Sequence, residues 1–198
     1  PMTIVSLPPR GTVNVHFSLL PRYRGAAPVA PAIAAGETRT GVTIFSLNEK
    51  MDEGDILAEE ETPIGPSETA GELEARLASL GAALLLRTLD RYDEITPRAQ
   101  DHARATLAPK IRKEDGLLEW TRSSVEIDRR VRALSPKPSA FARLRGSRLI
   151  ILAGRPVEGV ATPAHQGPPG TVTSLPKAGV TVARGGGTPV PLTRLRPE

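Results

Sequence analysis

The chain has 198 residues, 39% of them hydrophobic and 24% charged, with no cysteine and a formal net charge of +4. These values exclude a disulfide-stapled scaffold and a disordered chain, and three histidines without a cysteine argue against a zinc centre and for no metal at all. The charge is unevenly spread: residues 1–95 carry 8 Lys and Arg against 14 Asp and Glu, a net −6, while residues 96–198 carry 18 against 8, a net +10. An acidic half joined to a basic half predicts two modules, the second either facing a polyanion or keeping a basic surface for solubility.

The opening "PMTIVSLPPRG" has no basic region followed by a long apolar core, so it does not read as a signal peptide. No stretch approaches the ~20 apolar residues of a membrane span. A cytoplasmic protein with no membrane partner is expected. The first strand-like segment arrives without preamble, so an upstream part is expected as well.

"GTVNVHF", residues 11–17, alternates β-branched and other residues and predicts a strand. The "SLLPRYRGAAP" that follows is a loop punctuated by Pro21, Gly25 and Pro28. "PVAPAIAAGE" fits a short Ala-rich helix with Pro28 at its start and Gly36 after its end. "TGVTIFSL" (40–47) is a second, largely apolar strand, "NEKMDEGD" an acidic loop, and "ILAEEETPI" a third strand with an acidic tail. The strongest helix runs from Thr69 to about Tyr92. Thr69 and Glu72 have capping-box spacing, and Leu73, Leu77, Leu80 and Leu84 share a face interrupted by Gly81.

Residues 98–115 are polar, charged and without a clear period, which reads as a linker. "SSVEIDRRVRAL" is a short helix with Ser124 as a possible cap. The remainder is a series of short strands ("AFARLRG", "SRLIILAG", "GTVTSL", "GVTVAR", "TPVPLTRL") separated by Gly and Pro, a texture that predicts a small barrel. "ARGGGTP" reads as a turn, and "GPPG" is too weak a signal for a phosphate loop. The fold class is therefore α/β in the first part and mostly β in the second.

Asn14 and His16 lie two apart on the first strand and so share a face, where the strand runs into a loop. At the edge of an open α/β sheet such a position binds ligands. Imidazole exchanges protons near neutral pH, and an amide donates to developing negative charge. The pair could serve a tetrahedral intermediate, or be an ordinary hydrogen-bonded strand end. "MDEGDIL" offers Asp52, Glu53 and Asp55 around Gly54, either to orient the imidazole or as a solvated turn. Arg22 and Arg24 could grip an anion or simply aid solubility.

"NVHFSLLPRYRGAAP", followed by "TGVTI" and then the Asp52–Asp55 loop, resembles the signature of the folate-dependent formyltransferase family in order and spacing. Within that family "LLPRYRGAAP", "LAPKIRKEDGLLEW", "IDRRVRALSPKPSAFARLRG" and "GPPGTV" are most similar to members that act on methionyl-tRNA. "SPKPSA" stands where a Trp-Pro-Gly version is usual. The resemblance implies residues 1–97 as the C-terminal part of a Rossmann-like catalytic domain, 98–115 as linker, and 116–198 as an OB-like, tRNA-binding β-barrel. It also implies that the family's first strands and helices and its last segment fall outside this chain.

The implied donor is 10-formyltetrahydrofolate, and the implied partner is initiator methionyl-tRNA, whose α-amine is formylated by a monomeric enzyme. Related family chemistry on another amine, such as a nucleotide sugar, and an RNA-binding remnant without activity are the alternatives. The residues carried over are Asn14 and His16 at the oxyanion, with Asp52 holding the imidazole charged and helping to move protons. Ser18, Leu19, Leu20 and Pro21 would line the folate pocket. Arg22, Arg24, Lys110, Arg112, Lys113, Arg143 and Arg145 would meet substrate and tRNA.

Overall fold

Val13, Asn14, Val15 and His16 form strand β1 (Val13–His16) where the alternation predicts it. The computed structural model describes residues 5, 7–154, 168–174, 180–184 and 187–197. Residues 1–4, 6, 155–167, 175–179, 185–186 and 198, and with them part of the turn expected at "ARGGGTP", lie outside the described residues. The chain divides into two compact units, Pro1–Ala32 with Glu37–Lys110, and Ile33–Gly36 with Ile111–Glu198.

The first unit continues with α1 (Val29–Ala35), whose last residues fall to the second unit, then β2 (Arg39–Ser46), β3 (Ile56–Pro63) and α2 (Ala70–Asp90). Its sheet has the order β1-β2-β3, and both pairings are antiparallel. A Rossmann-like layer implies parallel neighbours. The chain between β2 and β3 is shorter than the dozen or so residues a parallel crossover needs, so it turns back on itself.

Thr69 caps α2 as its spacing predicts: its hydroxyl accepts from the Glu72 N–H, and the Glu72 carboxylate accepts from the Thr69 N–H at 2.9 Å. That backbone bond, with the Thr69 hydroxyl, holds the Glu72 carboxyl below its usual range. Leu73, Leu77 and Leu84 are buried, each worth about 1.5–3 kcal/mol of apolar burial. Gly81, which reads as a weak point in the sequence, is where the helix comes closest to the sheet. A Cβ there would lie 2.8 Å from Val15 Cγ1 and 3.3 Å from Val42 Cγ1. One face of the sheet is thus given to α2. By the two-residue period of a strand, Asn14, His16, Thr43 and Phe45 face the other way.

The acidic tail of β3 is paired rather than bare: Glu59 with Arg98, Glu60 with Arg87 and Glu61 with Arg39. The stretch after residue 97 differs from a linker. Arg98 exchanges both main-chain bonds with Ile56, at 2.8 and 2.9 Å. Further on, Thr106 and Ala108 bond the backbone of the 21–27 loop: Arg24 N donates to Thr106 O (2.8 Å) and Ala108 N to Arg24 O (2.7 Å). Residues 98–108 form a strap on the first unit. Its contacts mix main-chain pairing with the side chains of Arg98, Gln100, His102 and Thr106, which follow no regular period in the sequence.

In the second unit α3 (Ser124–Ala133) is capped by Ser123, not Ser124, with Glu126 completing the box. Ser124 is instead buried on the helix. Strands β4 (Ala140–Leu144), β5 (Ser147–Gly154), β6 (Val172–Ser174), β7 (Val180–Arg184) and β8 (Gly187–Pro197) form one antiparallel sheet in the order β4-β5-β8-β7-β6. Register shifts in three of its four pairings curl it. Leu118, Ile127, Val131, Leu134, Ile151 and Leu192 are among the residues of its core.

Candidate active site

The loop after β1 is fastened to β2 by its own polar groups. The Thr43 hydroxyl donates to Ser18 O (2.7 Å) and accepts from Leu20 N (3.1 Å), and the Ser18 hydroxyl donates to Arg22 O (2.6 Å). Ser18, Leu20 and Thr43 are buried. Tyr23, in the left-handed region at φ 60°, carries its carbonyl back to the imidazole of His16. A carbonyl only accepts, so the 2.9 Å contact assigns a proton to His16 Nε2.

The other ring nitrogen, Nδ1, faces Asp52 Oδ2 at 3.8 Å. His16 and Asp52 are 5% and 12% exposed, so the pair is sheltered from water. The imidazole also stands edge-on to Phe45, 6.2 Å between ring centres. Asn14 is two residues earlier on the same face, half-buried and without a side-chain hydrogen bond to any described residue. Sequence separation alone could not place Asp52 here; the turn between β2 and β3 does.

That turn is held tightly. Asp52 itself is left-handed at φ 55°, a conformation Asp tolerates better than most residues. Its Oδ2 accepts from Gly25 N at 2.7 Å. Gly25 is at φ 123°, and a Cβ on it would approach Ala108 O to 2.6 Å, so the donor sits where only glycine fits. Gly54 answers a similar need: a Cβ there would sit 1.6 Å from Ser46 O.

Beneath the turn lies Gln100. Its Nε2 donates to Asp52 O (2.9 Å) and Gly54 O (2.7 Å), and its Oε1 accepts from Arg24 Nε (3.1 Å) and Nη2 (2.6 Å). Arg24 also lies 3.1 Å from His102 Nδ1 and 3.5 Å from Glu53. At 5% exposure it is a strut under the turn and does not present its guanidinium to an external anion. Arg22 is exposed and pairs with Glu37, which also accepts from the Tyr23 hydroxyl at 2.9 Å. Burial and that bond push the Tyr23 phenol up to about 12. Burial alone would raise Glu37, but the hydrogen bonds from Arg22 and Tyr23 hold it below its usual range.

Of the four loop residues expected to line a folate pocket, Leu19 and Pro21 are half-exposed, while Ser18 and Leu20 point into the fold. Lys110, Arg112, Lys113, Arg143 and Arg145 are all exposed. Among the described residues no group of three or more His, Cys, Asp or Glu is placed to hold a metal ion, and no helix is long and apolar enough to cross a membrane. Sequence reading missed Gln100 and the Tyr23 carbonyl. Neither has a local signal, since one is a lone polar residue in a polar stretch and the other is main chain.

The sequence matches the formyl transferase family over residues 1–89 and the formyl transferase C-terminal domain over residues 110–198. It is 44% identical over 197 residues to a methionyl-tRNA formyltransferase of Anaeromyxobacter dehalogenans, covering 98% of this chain and 62% of that one. To a methionyl-tRNA formyltransferase of Solibacter usitatus it is 47% identical over 174 residues, 87% of this chain and 55% of the relative. The chain therefore spans less than two thirds of the length of these relatives.

In fold it is similar to HypX from Aquifex aeolicus in complex with tetrahydrofolic acid (TM-score 0.70, 22% identity, 94% of this chain and 32% of that one). It is also similar to an N-formyltransferase from Helicobacter canadensis in complex with folinic acid and dTDP-3-aminofucose (TM-score 0.70, 19% identity, 91% and 65%). With both family matches running in order along the sequence, and with relatives at 44–47% identity along most of its length, the chain belongs to the formyl transferase family.

Proposed function

We propose that the protein transfers the formyl group of 10-formyltetrahydrofolate to the α-amine of initiator methionyl-tRNA. The observation that carries this reading is the meeting of His16 and Asp52 at 3.8 Å on the sheet face that also bears Asn14. The 44–47% identity to methionyl-tRNA formyltransferases favours this acceptor within the family. The donor, when bound, supplies an activated formyl carbon for attack by the amine.

The groups present fit a reacting carbonyl. The amide of Asn14 is a donor without a competing partner among the described residues. The Nε2–H of His16 already donates to a carbonyl, that of Tyr23, and the formyl oxygen would take that acceptor's place. As charge builds on that oxygen, both donors strengthen. The Asp52 carboxylate, facing His16 Nδ1, would hold the imidazole charged, receive the proton lost by the attacking amine and return it to the departing nitrogen. Leu19 and Pro21 offer the exposed apolar surface of the loop to the folate rings.

In this reading residues 1–97, with the strap, are the antiparallel end of a larger Rossmann-like catalytic layer. Residues 116–198 form an OB-like barrel that holds tRNA through exposed cations, among them Arg143 and Arg145, with Lys110, Arg112 and Lys113 just before it in sequence. Formylation of methionyl-tRNA with 10-formyltetrahydrofolate is the test. His16→Ala is expected to lower kcat by about 10²–10⁴. A His16→Ala protein that formylates at the original rate, or a native protein that formylates a sugar amine and not methionyl-tRNA, overturns the assignment.

A further inference from the structure

Gln100 has every hydrogen-bonding position of its amide occupied and is 5% exposed. An amide offers two donors and two acceptor sites. Both donors go to main-chain carbonyls of the turn that carries Asp52, and both acceptor sites take the guanidinium of Arg24. Here those two carbonyls, of Asp52 and Gly54, bracket Glu53 in a turn whose first residue is left-handed. Left-handed backbone is unfavourable for a residue other than glycine, so something must hold it.

The fastening has three parts. Gly25 N fixes the carboxylate, Ser46 N fixes Asp55 O at 2.9 Å, and Gln100 fixes the main chain between them. Without the Gln100 donors two buried carbonyls lose their partners, and the cheapest remedy is for the turn to rotate outward towards water. That rotation would swing Asp52 Oδ2 away from His16 Nδ1.

We propose that Gln100 is a positioning residue for the proposed formyl transfer, acting on His16 through the main chain of Asp52. It rests on the functional reading above only for the catalytic consequence; the mechanical part concerns the unliganded protein. Gln100→Met fills similar space and removes all four hydrogen bonds. Gln100→Glu keeps an acceptor for Arg24 and removes both donors to the turn, so it separates the two sides of the amide.

The experiment is ¹⁵N NMR of the imidazole rings in the native protein, Gln100→Met, Gln100→Glu and Asp52→Asn, with His102→Gln and His165→Gln for assignment. The His16 ring resonances are expected to move in the same direction in both Gln100 variants as in Asp52→Asn. In a formylation assay the Gln100 variants are expected to lose about 10- to 100-fold in kcat with KM changed less than about threefold. They should add little loss in an Asp52→Asn background.

His16 resonances that stay in place in folded Gln100→Glu overturn the proposal, as does a full additional loss in the Asp52→Asn background. If Gln100→Met fails to fold, Gln100→Glu alone carries the decision. The NMR arm uses no substrate, so moved resonances without any formylation refute the functional reading and leave the positioning role standing.

Discussion

Gly54→Ala is the sharpest perturbation the turn allows. The added methyl would lie 1.6 Å from Ser46 O, 2.8 Å from Ser46 C and 3.4 Å from Phe45 Cδ2. Reaching even 3.0 Å from the oxygen means a retreat of about 1.4 Å in a closely packed region. Neither neighbour can yield cheaply, because the clash is with main chain inside a strand and Phe45 is fully buried. The turn must move instead. Three bonds go with it: Gln100 Nε2 to Gly54 O, Gln100 Nε2 to Asp52 O, and Ser46 N to Asp55 O. At about 0.5–1.5 kcal/mol net for each, the loss is about 1.5–4.5 kcal/mol.

Urea unfolding followed by Trp120 fluorescence and by circular dichroism, with the m-value compared between proteins, measures this directly. Because the chain has two units, the circular dichroism change belonging to the first is the relevant one. An alanine protein within about 0.5 kcal/mol of the native one would refute the close approach at Gly54 and the fastening of Asp52 built upon it.

Arg24→Met is expected to destabilise the first unit by about 2–4 kcal/mol, since the Gln100 acceptor and Glu53 lose a buried partner; thermal unfolding checks it. Glu68 is held below its usual range, chiefly by the hydrogen bond from Arg76. Near pH 4 the unfolded chain therefore binds more protons than the folded one, and this pair's stabilisation is full above the ordinary carboxylate value of 4.5 and is lost as pH falls through the lower folded one. Glu68→Gln is expected to flatten the stability curve there by about 1 kcal/mol or less, as Arg76 is partly exposed; acid titrations of both proteins read it. Binding of tRNA is expected to weaken with salt at a log–log slope of about −3 to −5 if most of the five exposed cations meet phosphates, and Arg143→Gln is expected to shallow that slope by about 1.

The parts of the fold that sequence reading reached are those whose cause is local. The α2 cap was legible because Thr69 and Glu72 satisfy each other within a single turn. The strands were legible because β-branched alternation needs no knowledge of a partner. At α3 two adjacent serines compete for the cap, and only the spacing to Glu126 separates them. Gly81 looked like a defect because helix propensity is local, whereas its value comes from Val15 and Val42 on distant strands. Arg24 looked like a surface cation because nothing near it in sequence reveals Gln100, which lies 76 residues later. The strap was illegible for a similar reason, since its partners at Ile56, Asp52, Gly54 and Arg24 are far away in sequence.

The order in which the chain is made gives that strap a further importance. The acid-bearing turn and the loop over the imidazole are complete by Asp55, yet their clamps arrive from 46 to 76 residues downstream. Until Gln100 and Thr106 have left the ribosome, the carbonyls of Asp52 and Gly54 and the amide of Arg24 can be satisfied only by water. Closing such long loops comes late in folding and slowly. The pairing of His16 with Asp52 is therefore finished late during biosynthesis, and a chain cut short before Gln100 lacks the fastening of its acid-bearing turn.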